Sequence, residues 1–277
     1  MVQFDLEITH ACNKHCPFCD QRIASSPFKH MSWEQYARVV DAMRGLKVGL
    51  VRLIGGEPLM HPEFSGLVRR VRNDFPGAAM VMTTNGALLD LLRAEERRIF
   101  ARITVSYYGA FNAAIVRRML LSPKEYANVY FTDSRWMYDP DLDPNLDEKT
   151  ARRCLKGCSQ TCVRVIGERI YGCCIAEGIE RHYKTEKVHC ELRPGWPSEF
   201  AALPTYKACQ RCYYAGQLAS NWRTAIASRT LSALANNRLG DVARKMNRFL
   251  TRGRWLRIVE ADLQQARADS VAPCRDG

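Results

Sequence analysis

Residues 12–19 read Cys12-Asn13-Lys14-His15-Cys16-Pro17-Phe18-Cys19, three cysteines with the spacing C-x3-C-x2-C. Just before them, Gln3-Phe4-Asp5-Leu6-Glu7-Ile8-Thr9 alternates apolar and polar residues, the period of a half-buried strand. The trio therefore opens the loop that leaves a first strand. Loops at strand C-termini are where α/β folds place their chemistry. Thiolates this close in sequence can converge on one metal centre, and an iron–sulfur cluster usually takes four of them. A trio is one ligand short and leaves a metal position open to an exogenous ligand. Zinc on the same sulfurs, or small buried hydrophobes, are the competing readings of the spacing alone.

The next stretches repeat the plan. Ser32 and Gln35 form a capping box, with Trp33, Tyr36, Ala37 and Val40 following at helical spacing. Leu50–Ile54 is a short apolar strand that ends at Gly55-Gly56-Glu57-Pro58. Pro62 opens a helix with Phe64, Leu67, Val68 and Val71 on one face. Ala79–Thr83 is a third strand, ending at Thr84-Asn85-Gly86. A helix is expected through Leu88–Phe100, a fourth strand at Arg102–Ser106 and a fifth at Ala127–Phe131. Strands alternating with helices imply a parallel sheet, here curled into a partial barrel.

Composition bounds the rest. The 277 residues are 47% hydrophobic and carry a formal net charge of +12, which suits a folded chain rather than a disordered one. No run approaches the ~18 uncharged apolar residues of a membrane span, and Met1–Glu7 lacks the layout of a secretory signal. A reducing cytoplasm is the expected compartment, so the twelve cysteines are read as metal ligands, catalytic groups or packing rather than disulfides.

The three motifs, each at a strand end and in this order, resemble the radical S-adenosylmethionine superfamily over residues 3–131. The resemblance implies that Cys12, Cys16 and Cys19 bind three irons of a [4Fe–4S] cluster. The fourth iron would be chelated by the amino and carboxylate groups of S-adenosylmethionine. It further implies that Phe18 lies beside the adenine and that Gly55 and Gly56 let backbone approach the cofactor. Glu57 would accept from the methionine ammonium, with Thr84 and Asn85 facing the ribose or methionine end and Ser106 a further contact. Tyr107 and Tyr108 are candidates for the substrate cavity. A small-molecule substrate, or alternatively a peptide, is the implied partner, along with an electron donor such as flavodoxin or ferredoxin.

Beyond residue 131 the pattern changes. Asp139–Pro144 and the acidic run to Glu148 read as a linker. Val163–Tyr171 reads as a hairpin turning at Gly167-Glu168-Arg169, flanked by cysteines and followed by Cys209-Gln210-Arg211-Cys212. This resembles the Twitch type of auxiliary-cluster module, which implies a second [4Fe–4S] cluster on Cys154, Cys173, Cys209 and Cys212. The turn is one residue longer than that module's usual pattern. Cys158, Cys162, Cys174 and Cys190 are competing choices, and zinc on the same ligands is the alternative. Residues 221–257 are basic and helical, read as amphipathic helices docked on the barrel; no recognised RNA-binding module accompanies the charge.

The expected organisation is thus α/β: a partial (β/α) TIM-like barrel over 1–135, a linker over 136–153, an auxiliary-cluster hairpin module over 154–215 and basic C-terminal helices over 216–277. The whole plan resembles enzymes of the 2-deoxy-scyllo-inosamine dehydrogenase type. That implies oxidation or epimerisation at a C–H bond of a sugar-like or aminocyclitol substrate. Peptide maturation, or a zinc- or iron-binding nucleic-acid or sensor protein without turnover, are the rival functions.

Overall fold

The computed structural model describes residues 1–16, 19, 21–134, 145–158, 161–212 and 252–265. Phe18, the Asp139–Pro144 stretch, most of the basic tail and Cys274 lie outside them. Eight strands form one sheet: β1 (Val2–Thr9), β2 (Val48–Gly55), β3 (Ala79–Thr84), β4 (Arg102–Tyr107), β5 (Val129–Asp133), β6 (Thr161–Ile166), β7 (Arg169–Cys173) and β8 (His189–Glu191). Between the first five run α1 (Trp33–Ala42), α2 (Phe64–Asp74), α3 (Ala94–Ile99) and α4 (Ala113–Leu121). After β5 come α5 (Glu148–Gly157), α6 (Ala176–Tyr183), α7 (Trp196–Ala201) and α8 (Tyr206–Gln210).

The sheet order is β5-β4-β3-β2-β1-β6-β7-β8, an open row and hence a partial barrel. β1 to β5 are parallel neighbours, each joined through a helix to the next. β6 lies parallel to β1 on the other side, Asp5 opposite Arg164 and Leu6 opposite Val165. The hairpin that local sequence sets apart as a module is therefore hydrogen-bonded into the core sheet. Gly167 makes its turn at φ +57°, a conformation that favours glycine.

Period two explains which side of each strand is buried where. Leu6 and Ile8 of β1, Val51 and Leu53 of β2, Met82 of β3 and Val105 of β4 pack outward against Tyr36 and Val39 of α1 and Leu67, Val68 and Val71 of α2. Each such side chain contributes about 1.5–3 kcal/mol when removed from water. The opposite positions, Asp5, Arg52 and Arg164, face the barrel interior. Serine at the N-cap starts α1 as its sequence requires: the Ser32 hydroxyl accepts from Gln35 N at 3.2 Å and Ser32 N donates to Gln35 Oε1 at 2.9 Å.

Two elements differ from the local reading. The helix expected through Leu88–Phe100 breaks into a 3₁₀ turn at Leu89–Leu91 and α3. Arg93 N and its guanidinium both donate to the Glu96 carboxylate, which restarts the helix there, while Leu89 and Leu92 turn inward together. The fifth strand begins two residues late, because Tyr126 is buried in the core and Asn128 caps the preceding loop through Arg97 O and Phe100 O.

Residues 252–265 form a helix that docks against the β4–β5 side of the sheet. Val259 is fully buried, Trp255 packs on Tyr107 and Phe131, and the Tyr107 hydroxyl donates to Asp262 at 2.5 Å. This portion of the basic tail is a packed helix. Tyr107 is thus a core residue and not a cavity one.

Candidate active site between two cysteine sets

A cavity of about 310 Å³ opens at the C-terminal ends of the parallel strands. Cys12, Cys16 and Cys19 line its mouth together with Gly55, Gly56 and Asn85. Thr84, Ser106 and Tyr108 stand along its wall. Its deeper part is formed by Asp5, Arg52 and Arg164, which the strand register sets side by side, and by Cys174.

The mouth is held by close backbone contact. Gly56 N donates to Thr9 O at 2.7 Å and Glu57 N to Ala11 O at 2.8 Å, so the segment after β2 lies flat against the start of the cysteine loop. A Cβ on Gly55 would sit 2.1 Å from Thr9 O, and one on Gly56 would sit 2.4 Å from Ala11 O. The glycines are required by this approach of two backbones, one strand end against the next.

Glu57, the ammonium acceptor that the sequence resemblance implies, is held by its own neighbours. It is fully buried, and one carboxylate oxygen accepts from Thr84 Oγ1 at 2.7 Å while the other accepts from Asn85 N at 2.7 Å. Among the described residues it does not line the cavity. Burial pushes its carboxyl up, against the pull of those hydrogen bonds. The motif after β2 thereby clamps the motif after β3. Asn85 passes the clamp on, its side-chain amide donating to Asn13 Oδ1 at 2.7 Å and standing 4.0 Å from the Cys12 sulfur. Asn112, which no sequence pattern marked, donates to both Asn85 O at 2.6 Å and Ser106 O at 2.7 Å.

A buried ionic chain runs beneath the cysteine loop. His10 Nε2 meets Glu7 Oε1 at 2.8 Å, and Arg164 holds Glu7 Oε2 through two nitrogens at 2.8 and 2.7 Å. A third Arg164 nitrogen donates to the carbonyl of Cys174. Burial alone would raise the Glu7 carboxyl; Arg164 and His10 outweigh it and hold it below the ordinary range.

The later cysteines separate into groups. Cys154, Cys173, Cys209 and Cys212 are buried in one small core with Ala151, Tyr171 and Ile175. Cys158 interacts with this group through Cys209, whose thiol is pushed up to about 12 by burial and by the neighbouring Cys212, Cys158 and Cys154. Cys162 lies beside Asp5, and Cys174 both lines the cavity and packs against this small core, hydrogen-bonded with Cys173. Cys190 packs in the main core. Among the described residues no group of three or more candidate ligands is drawn to metal-binding geometry. The donor chemistry of both sets nonetheless fits a thiophilic centre. Three sulfurs at the cavity mouth and four in one small core are the soft ligand type that such a centre takes.

Among the described residues no helix is long and apolar enough to cross a membrane. Comparison with known proteins is consistent across sequence and fold. Residues 6–120 match the model of the Radical SAM superfamily. The chain is 35% identical over 86 residues to a GTP 3',8-cyclase of Chlorobaculum tepidum, covering 31% of this chain and 26% of that protein. It is 34% identical over 118 residues to a GTP 3',8-cyclase of a Synechococcus species, covering 40% of this chain and 33% of that one. The chain thus spans about a third or less of these curated relatives. In fold it is similar to the crystal structure of BtrN in complex with AdoMet and 2-DOIA, with a TM-score of 0.53 and 16% identity over 76% of this chain and 92% of that one. With a cysteine trio at the mouth of an open β/α barrel, the part of the chain from β1 to α4, residues 6–120, matches the radical SAM superfamily.

Proposed function

We propose that this radical SAM enzyme removes a hydrogen atom from a C–H bond of a small, sugar-like or aminocyclitol substrate, leading to oxidation or epimerisation. One observation carries the reading: a single cavity connects the cysteine trio to the charged layer of Asp5, Arg52 and Arg164 inside the barrel. Its volume of about 310 Å³ suits a small ligand rather than a long polymer.

In this reading Cys12, Cys16 and Cys19 hold the family's [4Fe–4S] cluster, and Gly55, Gly56, Thr84, Asn85, Ser106 and Phe18 surround S-adenosylmethionine. When bound, that pair supplies a 5′-deoxyadenosyl radical after one-electron reduction by a donor such as flavodoxin or ferredoxin. The chain's own residues position and shield. The clamp of Glu57, Thr84 and Asn85 fixes the cysteine loop against β3, and Tyr108 with Lys14 over its ring at 5.0 Å narrows the mouth. Cys154, Cys173, Cys209 and Cys212 are assigned to a second, Twitch-like cluster, supported by their burial in one small core.

The relatives in sequence are GTP 3',8-cyclases, but the matches cover 31% and 40% of this chain and a third or less of each relative, so their substrate is not carried over to it. The test is anaerobic reconstitution followed by dithionite and S-adenosylmethionine, with 5′-deoxyadenosine measured chromatographically. Cleavage that rises with a candidate sugar, and deuterium moving from that sugar into 5′-deoxyadenosine, is expected. Cofactor left intact by the reduced, cluster-loaded protein refutes the reading. Deuterium transfer from peptides alone moves the enzyme to the peptide-modifying class.

A further inference from the structure

Arg52 is a charged residue in a place that ordinarily excludes one. It interrupts the apolar run Leu50–Ile54 on β2, a strand flanked by β1 and β3 near the middle of the sheet. Parallel strands so placed read as continuous hydrophobic segments. Its side chain enters the cavity and stays 35% exposed there, with one guanidinium nitrogen donating to Asp5 Oδ2 at 3.2 Å.

Arg164, in the same layer, provides the contrast. Its guanidinium is about 1% exposed and is taken up by the Glu7 carboxylate and the Cys174 carbonyl. That is a structural ion pair. Arg52 has the opposite balance. Asp5, itself only 6% exposed, accepts from Arg52 and from the Cys162 thiol, so it steadies one edge of the guanidinium and leaves the rest of the fork toward the cavity. With Arg164 paired to Glu7, Lys14 and Arg52 face one lining carboxylate among the described residues, that of Asp5, so the wall keeps a positive balance.

We propose that Arg52 is a substrate-anchoring residue that takes a paired oxyanion of the substrate, a carboxylate or a phosphate, with Asp5 positioning the guanidinium. A planar fork with two donors free matches two oxygens of such a group bidentately, and a compact ammonium does not. The proposal deepens the assignment of this cavity as the substrate site and rests on it. The substrate becomes a sugar acid or sugar phosphate rather than a neutral polyol.

The experiment is anaerobic isothermal titration of the full cluster-loaded chain with pyrophosphate, succinate and neutral glucose. Wild type is expected to bind one of the two oxyanions and not glucose; which one identifies phosphate or carboxylate. Arg52→Gln is expected to weaken that binding about tenfold or more, and Arg52→Lys several-fold, because it keeps the charge and loses the fork. Arg38→Gln, at an exposed position on α1, is the control and should bind as wild type. Circular dichroism checks that each variant is folded, and the lysine variant keeps the test decisive if the glutamine variant is not. Binding unchanged in both Arg52 variants, equal binding of glucose, or no oxyanion binding at all overturns the proposal. Failure of the wild type to cleave S-adenosylmethionine would strike the radical reading separately, without altering the titration.

Discussion

Glu7 and Arg164 meet at 2.7 Å with each side chain about 1% exposed, and they do so across the boundary between β1 and β6. Two opposite charges in a dry interior are expensive to place and more expensive to separate. Glu7→Gln should therefore destabilise the fold by about 3 kcal/mol or more, by leaving Arg164 without its counter-charge. Replacing both residues together, Glu7→Leu with Arg164→Met, should recover most of that loss. Urea unfolding of the single and double variants measures the difference.

Gly56→Ala tests the close approach at the mouth. The new methyl group would meet Ala11 O at 2.4 Å, and backbone on both sides leaves no flexible atom to move aside. The cysteine loop must shift away from β2. A loss of about 2 kcal/mol or more in stability is expected, in the range of overpacked sites, together with poorer iron loading at the first cysteine set. Iron analysis after identical reconstitution of variant and wild type provides the check.

The two cysteine sets should be separable by iron counting. Cys16→Ala is expected to remove about four irons per chain and abolish S-adenosylmethionine cleavage. Cys209→Ser is expected to remove a similar number while the first set still cleaves the cofactor. A wild type that holds only about four irons after complete reconstitution would eliminate the second cluster.

Glu96 makes stability depend on acid. Hydrogen bonding from Arg93 draws its carboxyl down to about 2 from an ordinary 4.5, against the opposing effect of burial. Because the folded value is depressed, its contribution is present above pH 4.5 and is lost as pH falls toward 2. Glu96→Gln should lower stability at neutral pH and flatten the loss across that window. Thermal unfolding at a series of pH values, compared with wild type, reads both effects.

Much of the barrel could be read locally because each strand announces itself by alternation and ends in a motif of small or polar residues. Cys12, Gly55, Gly56 and Asn85 do come together at one mouth, as three successive strand ends must in a parallel sheet. What local pattern could not carry was pairing at a distance. Nothing in Thr161–Ile166 states that its partner is β1, more than 150 residues earlier, and so the hairpin read as a separate module. The bonds of Glu57 to Thr84 and Asn85 were also beyond reach, since a carboxylate at a turn does not announce its partners on the next strand. Arg52 did leave a signal, a lone cation within five otherwise apolar residues. Asn112 and α4 left little, because a helix N-terminus without a side-chain cap offers no signature. The basic run divides: its 252–257 portion belongs to a helix docked through Trp255 and Val259, and 221–251 lies outside the described residues.

The parallel seam between β1 and β6 makes the molecule a caliper. The first jaw stands just past Thr9, and the second hangs from Cys173, paired with Thr161 at the far end of the seam. At about 3.3 Å of rise per residue, the strand between them sets a separation on the order of 20 Å along the sheet. The spacing of the two cysteine-bearing ends is thereby set by a length of β-strand, and lengthening that seam by a residue pair would reset it without touching either jaw.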